Sequence, residues 1–112
     1  MSVSGAEPIH SSLAEDEDLG EIVDLFVAEM PDRIERLLTY AQSHDWSELE
    51  RLAHQLKGAA GSYGFEPITP AAARLEAAVR DAWPEEQLRC ALENLVQLCQ
   101  RMKAGLPEST TV

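Results

Sequence analysis

The sequence predicts an all-α protein, an antiparallel four-helix bundle whose first helix is kinked. Two observations favour this fold class. Apolar residues recur at helical spacing in the long segments between about residue 15 and residue 105. No stretch alternates apolar and polar residues as a half-buried strand does, and short polar segments separate the helical ones. Four amphipathic helices joined by short loops pack as a bundle.

The first helix is predicted from Glu15 to about Ser43. Its apolar residues keep one phase on both sides of Pro31, although proline removes a helix hydrogen bond and usually kinks or ends a helix. We therefore expect one kinked helix or two nearly collinear ones. Residues 1–14 carry serine, glycine and glutamate without a period, so we expect a disordered tail there. Residues 15–105 form the domain, and residues 106–112 are expected to be a flexible C-terminus.

The second helix lies in "DWSELERLAHQLKGAAGSYGF". Asp45 can cap its start, with Glu48 three residues on closing a capping box. Gly64 suits a left-handed residue at its end. The sequence therefore predicts a helix from the residues after Asp45 to near Gly64.

The last two helices have proline near their first residues. Thr69 is a good N-cap before Pro70, which predicts a helix over 70–82. Pro84 and two glutamates open the final helix, where the acids suit the positive end of the helix dipole. Gly105 can end that helix.

One histidine of the second helix lies outside its apolar stripe. At about 100° per residue from Leu49, the apolar residues fall within about 80° on either side, whereas His54 falls at about 140°. Gly61 and Gly58 fall at about 120° and 180°, on the same side as His54. Each glycine costs a helix roughly 1 kcal/mol relative to alanine. We expect His54 to face solvent and both glycines to remove bulk beside it, rather than to ease a helix–helix contact in the core.

Composition excludes several classes of partner. The net charge is −11, which argues against nucleic acid and anionic membranes. No apolar run is long enough to cross a membrane, and the N-terminus lacks a signal-peptide pattern, so we expect a cytoplasmic monomer. Residues 49–112 hold eight acids against seven bases, a local balance that fits either a solvated surface or a site for an anion.

Cys90 and Cys99 are too far apart to pair, and we expect buried or half-buried thiols.

Three kinds of chemistry are conceivable for His54. A metal site needs a second ligand at helical spacing, but Gly58 stands at i+4 and only Glu50 at i−4, so we expect no metal. A hydrolase needs an adjacent nucleophile, and Ser62 is eight residues away. An exposed imidazole can itself be a nucleophile near pH 7, and Lys57 at i+3 can reach a phosphoryl group on its ring. His10 and His44 are expected to have no special role.

The stretch "AHQLKGAAGSYGF" resembles the signature of histidine-containing phosphotransfer (HPt) domains of bacterial phosphorelays, roughly AHxLKGxxxxxG. The resemblance covers about residues 16–104. The matching residues are Ala53, His54, Leu56, Lys57, Gly58 and Gly64.

This resemblance implies a four-helix bundle that carries a phosphoryl group on His54, received from an aspartate of one receiver domain and passed to another. Receiver domains of response regulators or hybrid histidine kinases would be the partners. The chain would be a carrier rather than an enzyme, with no cofactor of its own, because the Mg²⁺ would belong to the receiver. Lys57 would stabilise the phosphate, and Glu76 on the next helix would hydrogen-bond near the histidine. The residues implied in partner docking are Gly58, Gly61, Glu50 and Gln55.

Two other functions compete with that of a phosphocarrier. A non-phosphorylated docking module for receiver domains is the alternative, although such a module has no need of the histidine. A histidine kinase has no support, because no glycine-rich phosphate loop follows a strand in the sequence.

Overall fold

The computed structural model of the protein describes residues 8–12 and 20–103. The elements are β1 (Ile9–His10), α1 (Gly20–Ala28), α2 (Met30–Gln42), α3 (Trp46–Ser62), α4 (Ile68–Arg80), α5 (Glu85–Gln100) and β2 (Met102–Lys103). In the bundle, α2 packs against α3 and α5, and α4 also packs against α3 and α5, so the helices close into a ring. The prediction of an all-α four-helix bundle is confirmed, with α1 and α2 together as the first helix.

The first helix is interrupted beside Pro31, as predicted. Only Glu29 separates α1 from α2, and its backbone stays in the right-handed helical region. Its N–H donates to the Leu25 carbonyl at 3.0 Å, and its own carbonyl accepts from the Arg33 N–H at 3.2 Å. Pro31 therefore lies in the first turn of α2, where its missing N–H costs little. Apolar residues of both helices enter the same core.

Helix α3 begins at the predicted cap. Asp45 accepts a hydrogen bond from the Glu48 N–H at 3.4 Å. The capping box is only half formed, because the Glu48 carboxylate bonds Arg51 at 3.0 Å instead of returning to the cap.

Gly64 ends α3 in the left-handed conformation that the sequence predicted, with φ of 82°. The Phe65 N–H reaches back to the Ala60 carbonyl at 2.9 Å, and the Gly64 N–H to the Gly61 carbonyl at 3.5 Å. This pair of bonds is a Schellman motif. Phe65 is fully buried after the turn, so the chain reverses directly into the core.

Helix α4 begins earlier than the sequence predicted. Its first residue is Ile68 and its cap position is held by Pro67, so Thr69 is not the N-cap and Pro70 is not the first residue. The Ile68 N–H already donates to the Phe65 carbonyl at 3.0 Å. The tight turn after α3 therefore starts the helix before the Thr69 hydroxyl can cap it.

The chain near both termini departs furthest from expectation. Helix α5 ends at Gln100, and β2 then pairs in parallel with β1. The expected end at Gly105 lies outside the described residues. No strand was expected. The two short strands are held together beside this pair by a hydrogen bond from the Ile9 N–H to the Arg101 carbonyl at 2.6 Å. Ile9 is only 7% exposed and joins the core.

The expected disordered tail is therefore wrong for residues 8–12. The Ser11 hydroxyl bonds the Tyr63 carbonyl, and the Ser12 N–H bonds the Gly64 carbonyl at 2.9 Å. These bonds fix the segment to the end of α3. The rest of the expected tail, residues 1–7 and 13–14, and the expected flexible C-terminus, residues 106–112, lie outside the described residues.

The two cysteines are free thiols in different surroundings. Cys99 is buried in the core, and burial raises the pKa of its thiol to about 12. Cys90 is exposed on α5, so the expectation of buried or half-buried thiols is wrong for that residue. The outer face of an amphipathic helix accommodates a small side chain without burying it.

Small side chains let α3 and α4 approach closely. The buried face of α3 includes Ala53 and Ala60, and that of α4 includes Ala71, Ala72 and Ala78. This is the most extensive helix–helix contact among the described residues. It allows a side chain on the outer edge of α4 to reach the outer edge of α3.

Candidate functional site

His54 projects from the outer face of α3, as the helical phase predicted. Its side chain is 65% exposed, whereas Ala53 and Leu56 beside it are buried. The ring therefore has an open approach from solvent while the helix beneath it is anchored in the core.

One carboxylate of α4 contacts both His54 and Lys57 of α3. Glu76 Oε2 lies 2.8 Å from His54 Nδ1, and Glu76 Oε1 lies 2.7 Å from Lys57 Nζ. The Glu76 side chain is only 12% exposed and that of Lys57 is 33% exposed. The structure thus brings together three residues that the sequence proposed separately, and it places Glu76 at the centre of them.

The charges of this cluster favour an ionised carboxylate. The hydrogen bond from the Lys57 ammonium is the largest influence, and it lowers the pKa of Glu76. Partial burial opposes this effect, and the bond from His54 adds to the lowering. An ionised carboxylate can only accept hydrogen bonds. In the neutral form of His54, the bond to Glu76 therefore requires the proton on Nδ1 and leaves the lone pair on Nε2.

The ion pair between Glu76 and Lys57 also changes the charge beside His54. A carboxylate beside a phosphohistidine would repel the phosphate if it stood alone. Here the Lys57 ammonium contacts that carboxylate directly and offsets its charge. The sequence predicts that Lys57 can reach a phosphoryl group on the His54 ring, and in the structure its ammonium contacts Glu76.

The two glycines beside His54 have different surroundings. A Cβ added to Gly58 would meet nothing within 4 Å, so its face is open to solvent. A Cβ on Gly61 would lie 3.6 Å from the Thr69 hydroxyl oxygen of α4, which is an ordinary contact. Gly58 leaves the surface beside His54 bare as expected. Gly61 is exposed as well and borders Thr69 of α4 without crowding it.

The other two residues that the resemblance implies in docking, Glu50 and Gln55, also lie on α3. Gln55 is exposed and Glu50 is half-buried, and within the described part of the chain neither bonds to the His54–Lys57–Glu76 cluster. The other exposed histidine, His44, stacks on Trp46 with ring centroids 5.2 Å apart, away from this cluster.

Sequence reasoning did not single out Arg80, which adds a second cation near the site. Asp81 is the main cause that raises the pKa of Arg80, and the charges of Glu76 and Glu50 raise it further. Arg80 stands one helical turn after Glu76, and this i+4 spacing on a single helix face was the available signal.

A family model, the Hpt domain, matches residues 21–105, which is well over half of the chain. The chain belongs to the Hpt domain family. Membership implies phosphotransfer in phosphorelay signalling with receiver domains as partners. No curated protein and no solved structure matches the chain.

Two further observations bear on the site and on the chain's surroundings. Among the described residues, no three histidine, cysteine, aspartate or glutamate side chains are grouped so that they could hold a metal ion. In the same part of the chain, each helix is too short or too polar to span a bilayer.

Proposed function

We propose that this Hpt domain is a phosphocarrier in which His54 accepts a phosphoryl group from an aspartate of one receiver domain and passes it to another. The observation that carries the proposal is the bond between His54 Nδ1 and Glu76, which leaves Nε2 as the exposed nucleophile. The carrier acts in the cytoplasm as a monomer.

The transfer balances without a proton leaving the ring. The Nε2 lone pair attacks phosphorus, and the bond from phosphorus to the receiver's carboxylate oxygen breaks. That oxygen leaves as a carboxylate, and Nδ1 keeps its proton against Glu76. Phosphoryl transfer depends mainly on positioning and charge stabilisation, so the receiver can supply the Mg²⁺ and most of the catalytic groups. In the return direction the same bonds form and break in reverse.

The surface around His54 supports docking by a protein donor. Gly58 presents no side chain, and the exposed Gln55 lies next to the histidine. We propose that Gly58, Gly61, Glu50 and Gln55 border the docked receiver. A small bare surface beside the nucleophile lets the receiver's active-site loops close around the ring.

The test is phosphorylation of the full chain by a phosphorylated receiver domain. We expect an acid-labile label on the wild type and on His44→Gln, which removes the other exposed histidine of the bundle. His54→Gln should take no label while its circular dichroism stays helical. A labelled His54→Gln protein would overturn the assignment.

A non-phosphorylated docking module predicts a different result in the same experiment. Such a module would bind the receiver and remain unlabelled in the wild type. Binding measured by titration alongside the label therefore separates the two functions.

A further inference from the structure

We propose that the seam between α2 and α5 is a docking groove for a cationic amphipathic helix of a partner protein. The seam contains a cavity of about 640 Å³, a volume within the range of ligand pockets. A second cavity of about 240 Å³ adjoins it at Trp46 and Leu88. The groove is lined by Leu38, Ala41, Gln42, His44, Trp46, Glu85, Glu86, Leu88, Arg89, Leu92 and Glu93.

Exposed apolar side chains mark this groove. Leu38 is 40% exposed and Trp46 is 38% exposed, and they are two of the four large exposed hydrophobic residues in the described part of the chain. Both line the groove, with Leu88 and Leu92 of α5 facing them. Apolar side chains clustered in a concave surface are typical of sites that bind a partner.

The charge of the rim selects a cation. Three carboxylates, those of Glu85, Glu86 and Glu93, border the groove against the single guanidinium of Arg89. The positive N-terminal end of α5 does not make an anion site, because Glu85 and Glu86 lie in that first turn and complement the dipole themselves. A second copy of this chain is disfavoured, because each copy carries a net charge of −11.

The shape of the groove suits a helix. The space lies between two helices, so the ridge of a third helix fits it with apolar side chains at i, i+3, i+4 and i+7. Lysine or arginine on the flanks of that helix would face the carboxylates of the rim. The groove shares no lining residue with the His54–Lys57–Glu76 cluster, which lies on α3 and α4. A partner helix in the groove would therefore leave the His54–Lys57–Glu76 cluster uncovered.

The test uses the full chain, labelled with ¹⁵N, and a synthetic amphipathic helix built from leucine and lysine. A matched peptide with glutamate in place of lysine is the control probe. We expect the leucine–lysine peptide to shift amide signals of α2 and α5 and the indole signal of Trp46. The glutamate peptide should bind far more weakly. Shifts confined to another surface, equal binding of the two peptides, or no binding would each overturn the proposal.

Variants of the groove sharpen this result. Leu38→Asn should abolish binding, whereas Leu25→Asn, which changes an exposed leucine of α1, should leave it unchanged. Glu86→Gln with Glu93→Gln should weaken binding by roughly three- to tenfold, because partly exposed charge pairs contribute modestly. This double variant tests the proposal even if Leu38→Asn fails to fold. Unchanged affinity in it would overturn the cationic partner.

A second copy of the chain is the competing occupant of the groove. Sedimentation of the unlabelled protein over a range of concentrations would show whether it dimerises. If dimerisation shifts the same groove signals, the occupant is another copy and the proposal is wrong.

Discussion

Glu76 connects the residues of the candidate site. Its two oxygens contact His54 and Lys57 separately, so a single side chain orients the His54 ring and holds the Lys57 ammonium. It reaches both because the small residues of α3 and α4 bring the helices together. The sequence named Glu76 through the resemblance alone, since its contact with His54 depends on the register between two helices.

The lowered pKa of Glu76 predicts how the cluster contributes to stability at different pH. Its pKa lies below the ordinary value of 4.5, so the ionised carboxylate stabilises the folded state above that pH. This contribution is lost as the pH falls through the lower value of the folded state. Glu76→Gln should therefore be less stable than the wild type at pH 7, and the difference should shrink in acid as the pH falls through the lowered pKa of the folded state. Urea denaturation of both proteins at pH 7 and at an acid pH measures it.

A matched control separates this effect from general acid destabilisation. Glu93→Gln removes an exposed carboxylate of α5 that contacts neither His54 nor Lys57 among the described bonds. Its difference from the wild type should be small at both pH values. A Glu76→Gln difference that persists undiminished in acid would mean that shape, rather than charge, connects the two helices.

Lys57 is predicted to act largely by offsetting the charge of Glu76. Lys57→Ala should slow transfer from a phospho-receiver by roughly tenfold or more, because the carboxylate is then left beside the incoming phosphate. Lys57→Arg should retain part of the rate. In a double-mutant cycle, Lys57→Ala should cost less when Glu76 is already Gln. Equal costs in both backgrounds would show that Lys57 acts on the phosphate without Glu76, and no cost in either would remove its role.

At the scale of the element, helix α3 has a buried apolar face and an outer face that carries no side chain at Gly58. Leu49, Leu56 and Ala60 are fully or almost fully buried, whereas Gly58 faces open space. A glycine inside a helix lowers stability without any packing gain at this position. Under the proposed function, the absence of bulk beside His54 would explain that loss.

Gly58 provides the test of this explanation. Gly58→Ala should raise the free energy of unfolding by up to about 1 kcal/mol, because alanine favours the helix and meets no neighbour. Gly58→Gln should also fold. Receiver-to-His54 transfer should fall in both variants, far more with glutamine. Thermal unfolding and transfer rates, measured on the same preparations, give the two results.

A small phosphodonor serves as the control for Gly58. Any small donor that labels the wild type should label Gly58→Gln as well, because it needs no protein surface around His54. Normal transfer from the receiver to Gly58→Gln would remove the steric explanation. Unfolding of that variant would instead mean that Gly58 is packed against a neighbour.

The elements also show which features a sequence can reveal. Asp45 and Gly64 were predicted as the ends of α3 because each acts through residues a few positions away. Thr69 was wrong as a cap because the Schellman turn at Gly64 sets where α4 begins, and this turn competes with the local signal at Thr69. Exposure of His54 followed from helical phase alone. Its bond to Glu76 required the packing of two helices, which no local pattern contains.

At the scale of the whole molecule, the N-terminal segment joins the ends of two helices. Residues 8–12 bond the turn after α3 and pair with the chain after α5. No local pattern indicates this pairing, since "PIHSS" has neither a strand period nor a helix pattern. The pairing depends on residues about ninety positions apart, which the packing of the bundle brings together.

Ile9 is predicted to anchor that segment. Its side chain is 7% exposed and belongs to the core. Ile9→Ala should lower the free energy of unfolding by about 1–3 kcal/mol, because truncating a buried isoleucine removes apolar contacts. The loss cannot exceed the free energy of detaching the short segment, which limits it to the lower part of the usual range. Ser12→Ala keeps the backbone bond to Gly64 and serves as the control, with little change expected. Urea denaturation measures both, and hydrogen exchange of the Ile9 amide reports the pairing directly.

Transfer to His54 should persist in Ile9→Ala, since none of residues 8–12 contacts the His54–Lys57–Glu76 cluster. An Ile9→Ala protein as stable as the wild type, with fast exchange at the Ile9 amide in both, would show that the segment does not hold the bundle together in solution.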